Sequence, residues 1–152
     1  MKKIELSLLT ISLVGIILVA AGLKAAWYVA IPFLIILGVF YYFFGFALLN
    51  NIPPEGIFRS GSYKGISPLR IFGSVLAGMA ISLVPLTVLF KLGEYPMGGT
   101  LSLLAGISTI LVLIIMAILY FRQKKKIHLE NTIRFGIAFL IILAFMKLKI
   151  YI

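Results

Sequence analysis

Few side chains in this chain could perform acid-base or metal chemistry. Its 152 residues include no Asp and no Cys, a single His at position 128, and Glu at positions 5, 55, 94 and 130. His128 and Glu130 are two residues apart, and we assign both to a solvated loop because a metal centre would need further ligands. A paired acid and base or a catalytic triad would require distant segments to meet. The sequence therefore predicts a protein that is not an enzyme, with no catalytic residue, no bound metal and no cofactor.

Apolar stretches without any charge make up most of the chain, of which 62% is hydrophobic. Four are long (6–23, 25–49, 71–90 and 101–121), and a shorter one follows residue 135. A helix needs about 20 residues to cross roughly 30 Å of hydrocarbon. We predict an all-α, polytopic transmembrane bundle of four long spans plus a shorter fifth, built from two tight hairpins in one membrane domain, 1–152. The expected spans are 5–23, 25–49, 71–91, 100–121 and 134–152, with an irregular loop at 50–70.

Basic residues are unevenly divided between the two sides of the predicted bundle. Ten of the 14 flank the N-terminus, the 50–70 loop or the segment between spans four and five, and the other four are Lys24, Lys91, Lys147 and Lys149. The positive-inside rule then predicts a cytoplasmic N-terminus. We predict that the short fifth segment spans with its lysines snorkelling, which places the C-terminus outside. Because the charge flanks the spans, the sequence predicts no nucleic-acid partner; the run 122–126 is a stop-transfer flank or a site for anionic lipid.

Small residues recur at four-residue spacing in the third and fourth spans. Ser74, Gly78 and Ser82 share one helix face of the third span. Ser102 and Gly106 have the same four-residue spacing in the fourth span. Such faces let another helix backbone approach closely. They predict helix packing within the chain, with a homo-oligomer contact as the alternative.

The long stretches contain no Asp, Glu, His or Arg, so the sequence predicts no coupling to protons. Pro85 is expected to kink the third span. The favoured interpretation is a bent helix whose freed Ile81 carbonyl bonds a neighbour, and the alternative is a small polar pocket beside Ser82 and Thr87. That pocket would be the basis of a proton-independent transporter or channel. The favoured hypothesis is an accessory or scaffold subunit of a membrane assembly, with the lipid bilayer and a membrane protein as its partners.

The turn between spans three and four is the most distinctive segment. Lys91 can snorkel and Tyr95 can lie at the headgroups, Pro96 would stop the incoming helix, and Gly98 and Gly99 would let the chain reverse before Thr100 caps the next helix. We predict that this turn fixes the hairpin and is also a possible contact site. Its residues are Lys91, Glu94, Tyr95, Pro96, Gly98 and Gly99.

The segment from Leu89 to Gly106 also resembles small membrane proteins of Bacteroidota, including the membrane subunit of the gliding-motility and type IX secretion motor. Their hairpin turn reads Phe-Lys, a few residues, then His-Trp-Pro-Gly or a variant, before a Gly-containing helix. Phe90, Lys91, Tyr95, Pro96, Thr100 and Gly106 fall on that pattern. The resemblance implies a bacterial inner (cytoplasmic) membrane. It does not imply the motor role, because Ile110 stands where that subunit has its proton-responsive Glu.

Overall fold

The computed structural model describes residues 1–147, which form an all-α bundle of five long helices. All five are long and apolar enough to cross a membrane, which confirms the predicted multi-pass helical architecture. The helices are α1 (Lys2–Ala20), α2 (Trp27–Leu49), α3 (Pro68–Leu92), α4 (Gly98–Gln123) and α5 (Lys126–Lys147).

Short connections make neighbouring helices antiparallel. Residues 21–26 join α1 to α2 and residues 93–97 join α3 to α4, which gives the two predicted tight hairpins. Gly22 takes a left-handed conformation (φ +89°) in the first of these turns, a conformation that glycine adopts without steric cost. The longer connection at 50–67 contains two 3₁₀ turns and ends where the Ser67 hydroxyl accepts a hydrogen bond from the Arg70 backbone N–H (3.3 Å) to start α3.

The central helix of the bundle is α3, which packs against α2, α4 and α5, while the outer helix α1 packs on α2. Glycines bring α2 and α3 together: a Cβ added at Gly45 would lie 2.6 Å from the Gly78 Cα. The core beside this contact includes Leu37, Tyr41 and Ile81, and is completed by Phe135 of α5. Close packing of this kind is what small residues permit in membrane helices.

The largest departure from the prediction is the start of α5. The helix begins at Lys126, not near residue 134, because Lys124 adopts a left-handed conformation (φ 48°) and closes the turn within two residues. The predicted loop placement of His128 and Glu130 is therefore wrong. Lys, Gln and Glu are good helix formers, so the charged residues at the start of α5 are compatible with a helix. Lys149 and the rest of the expected far end of this span lie outside the described residues.

Candidate functional site

Charged side chains from opposite ends of the sequence meet at one end of the bundle. We call this the basic end; α1, α3 and α5 begin there, and α2 and α4 end there. The Arg134 guanidinium binds the Glu5 carboxylate through two parallel hydrogen bonds, Nε to Oε1 at 2.7 Å and Nη2 to Oε2 at 2.8 Å. The Tyr41 hydroxyl donates to the same carboxylate at 2.9 Å. Only 8% of the Glu5 side chain and 15% of the Arg134 side chain are exposed.

Local structure places each member of this cluster. Glu5 lies in the first turn of α1, where the helix dipole favours an anion. One turn before Arg134, Asn131 accepts a hydrogen bond from Arg134 Nη1 (2.8 Å) and donates another to the Leu49 carbonyl (3.0 Å). That carbonyl belongs to the last turn of α2, where helix carbonyls have no partner within the helix. The network thus ties α1, α2 and α5 together.

A second ion pair also joins α1 to α5, at a position nearer to solvent. Lys2 of α1 bonds Glu130 of α5, and 51% of the lysine side chain is exposed. His128 lies close by in α5, largely buried, with Nε2 3.1 Å from Gln123 Oε1. Among residues 1–147, no group of three or more His or Glu side chains is arranged to hold a metal ion.

A cavity of about 390 Å³ extends from this cluster between α1 and α5. Leu9, Leu13 and Ile16 form one wall, and residues of α2 and α3, including Leu37 and Val84, form the floor. The α5 wall contains Ile133, Ile137, Ala138, Ile141 and Phe145. Leu13 and Ile137 are each more than half exposed, so the cavity opens sideways between the two helices. It is an apolar groove with an ion pair at one end.

Within residues 1–147, the hydroxyls of the bundle do not form the polar pocket that is the alternative interpretation of Pro85. Ser82 Oγ donates to the Met79 carbonyl of its own helix (2.7 Å), and neither Ser82 nor Thr87 lines the cavity. Pro85 does line it, within an α3 helix that continues to Leu92. Ser12 is the one hydroxyl residue of the lining besides Tyr41, and its buried Oγ has no hydrogen-bond partner within the described structure. The cavity wall near the proline is therefore apolar.

The small residues predicted for packing face two different neighbours. On α3, Gly78 meets α2, and a Cβ added there would lie 2.9 Å from the Tyr41 carbonyl oxygen. Ser74 Oγ accepts a hydrogen bond from Asn50 Nδ2 (2.7 Å) at the end of α2. On α4, Ser102 is buried and bonds the Gly98 carbonyl of its own helix. Gly106 faces α5: a Cβ added there would lie 3.7 Å from Ile142 Cγ2.

The turn at 93–97 is compact, but different residues make it from those expected. The left-handed positions are Glu94 (φ 52°) and Met97 (φ 74°), not Gly98 and Gly99. Met97 is the N-cap of α4, so the predicted capping role of Thr100 is wrong.

The predicted contact residues of this turn divide between exposed and buried positions. Glu94, Pro96 and Gly99 are exposed and Lys91 is partly buried, while Gly98 is buried with its added Cβ 3.4 Å from the Phe90 backbone. Tyr95 is half exposed with its ring 5.6 Å from that of Phe90. The turn therefore fixes the α3–α4 hairpin, and its role as a contact site stays a prediction.

Sequence reasoning missed the Glu5–Arg134 pair because 129 positions separate its members. A usable signal was present: both residues border apolar stretches at ends predicted to share one side of the membrane. Comparison with known proteins finds no family model, no curated protein and no solved structure that matches the chain.

Proposed function

We propose that this chain is a non-enzymatic integral membrane protein that acts by binding other membrane components, as an accessory or scaffold subunit of an inner-membrane assembly. One observation carries the proposal: the cavity between α1 and α5 is lined mainly by apolar side chains, and the charged groups at its end bond one another. Such a surface binds an apolar group through van der Waals contact. The buried ion pair at the end of the cavity has a structural role, since each charge is neutralised by a fixed partner.

Exposed apolar side chains at the basic end form a candidate binding surface for a partner protein. Phe58 is 94% exposed on the 50–67 connection, and Leu69 and Phe72 are exposed at the start of α3. Arg59 and Arg70 neighbour them in sequence. Aromatic and Arg residues are enriched at protein interfaces, so this surface suits a protein partner.

Photo-crosslinking from Phe58 tests the proposal. Replacing Phe58 with the photoreactive analogue p-benzoylphenylalanine changes an exposed ring without disturbing the core. We expect illumination of intact cells to give one discrete protein adduct from this site. The matched control is the same analogue at Tyr28, which is also highly exposed but lies at the opposite end of the bundle. Adducts only to lipid at both positions, or the same protein adducts at both, would overturn the proposal.

The alternative, a proton-independent transporter or channel, makes the opposite prediction. It requires polar groups along a path through the bundle, whereas the described cavity is lined mainly by aliphatic side chains. Solute flux by the purified chain in liposomes, lost on filling the cavity, would favour that alternative over a subunit that acts by contact.

A further inference from the structure

A gap lies between α1 and α5 because these two helices pack against different neighbours. Along the described length, α1 packs mainly on α2, and α5 packs on α4 and α3. The described hydrogen bonds and ion pairs between α1 and α5 lie at the basic end, through Glu5–Arg134 and Lys2–Glu130. Beyond them both helices present aliphatic side chains to the cavity.

We propose that this groove binds one acyl chain of a membrane phospholipid, with the headgroup at the Glu5–Arg134 end. Eleven positions separate Glu5 from Ile16 on one wall and Arg134 from Phe145 on the other, which is about 16 Å of helix. The groove therefore runs for roughly half the hydrocarbon thickness of a bilayer, the depth that one leaflet provides. This site is independent of any protein partner.

The length of the groove favours an acyl chain over a transmembrane helix as the occupant. A transmembrane helix crosses about 30 Å of hydrocarbon, about twice the length of this groove, whereas one acyl chain reaches the depth of a single leaflet. A flexible hydrocarbon chain can enter from the side where Leu13 and Ile137 are exposed. An empty groove would leave its lining without dispersion contacts.

The charges at the mouth fit a phospholipid headgroup of either net charge. Lys2 is half exposed at this end, and its ammonium group can donate to phosphate oxygens as well as to Glu130. Glu5 and Glu130 are paired with Arg134 and Lys2, and the further lysines of the basic end lie outside the groove lining. We therefore expect the acyl chain to supply most of the binding free energy, with a modest preference for an anionic headgroup at the basic end.

Native mass spectrometry of the full chain, delipidated in detergent and titrated with dipalmitoyl phosphatidylethanolamine, tests this site. We expect one phospholipid to bind per chain. Leu13→Trp places an indole in the groove and should weaken binding on the order of tenfold, the effect of losing one or two buried methylene groups. Val14→Trp is the matched control, since Val14 is similarly exposed on α1 but does not line the cavity, and it should bind as the parent does.

Equal binding by the two variants, or no saturable binding by the parent, would overturn the proposal. So would a dimer of the parent that Leu13→Trp alone dissociates, because a second chain would then fill the groove. If Leu13→Trp fails to fold, Ile137→Trp and Leu140→Trp make the same comparison from α5, where Ile137 lines the cavity and Leu140 does not. Selective loss of the lipid from Ile137→Trp is the expected result, and equal retention overturns the proposal.

Discussion

Removing one member of the Glu5–Arg134 pair should be among the most destabilising single changes in this chain. Glu5→Gln keeps the shape of the side chain but leaves the Arg134 guanidinium without a counter-charge in a site where only 15% of its side chain is exposed. Breaking a buried ion pair in this way costs about 3–5 kcal/mol. Tyr41 would also exchange a charged acceptor for a neutral one, and hydrogen bonds to charged groups are the stronger kind.

The outer ion pair provides a matched control between the same two helices. Glu130→Gln removes the partner of Lys2, whose side chain is half exposed, and exposed pairs contribute only about 0–1 kcal/mol. Unfolding of the purified protein in mixed micelles at increasing SDS, followed by circular dichroism, measures both losses. We expect the midpoint to fall strongly for Glu5→Gln and little for Glu130→Gln.

A double-mutant cycle then isolates the pair itself. The variant Glu5→Gln/Arg134→Gln has no uncompensated charge, so its loss should be smaller than the sum of the two single losses, with a coupling of roughly 1–3 kcal/mol. Additive losses, or a Glu5→Gln loss no larger than that of Glu130→Gln, would refute the reasoning that the buried pair fastens α1 to the bundle.

Other predictions follow from the packing and the charge distribution. Gly45→Ala should destabilise the bundle by about 1–3 kcal/mol because its Cβ meets backbone at 2.6 Å, whereas Gly73→Ala, with open space around it, should not in the same SDS titration. In intact cells an impermeant thiol reagent should label Glu94→Cys but not Lys125→Cys, and the reverse would invert the predicted orientation. Tyr95→Ala should lower the free energy of unfolding by about 1 kcal/mol through its lost aromatic contact; an unchanged SDS midpoint would leave partner binding as its role.

Hydropathy was enough to predict the helices and both hairpins, because each long apolar stretch must satisfy its backbone hydrogen bonds internally in lipid. The α5 boundary was not predictable in this way. Residues 126–133 are mostly polar, so hydropathy assigns them to a loop. His128 and Asn131 are nevertheless buried against neighbouring segments and stabilise this part of the helix. Burial of polar side chains depends on tertiary contacts that a local pattern does not record.

The candidate site was harder to predict because its members are remote in sequence. Spacing on α3 identified Gly78 as a packing position, but not Gly45 as its neighbour, since that depends on which helices are adjacent. The same limit applies to Glu5 and Arg134. The groove itself results from the packing of α1 and α5 against different helices. The residue pattern of either helix alone does not predict that gap.

The mass of the particle that contains this chain in its native membrane tests the central claim most directly. The chain alone is 16.8 kDa. After extraction with a mild detergent, we predict a discrete larger complex in which the chain and its partner proteins occur at fixed stoichiometry. Recovery of the chain only as a lipid-bearing monomer, together with solute flux by that monomer in liposomes, would contradict a protein that acts by contact.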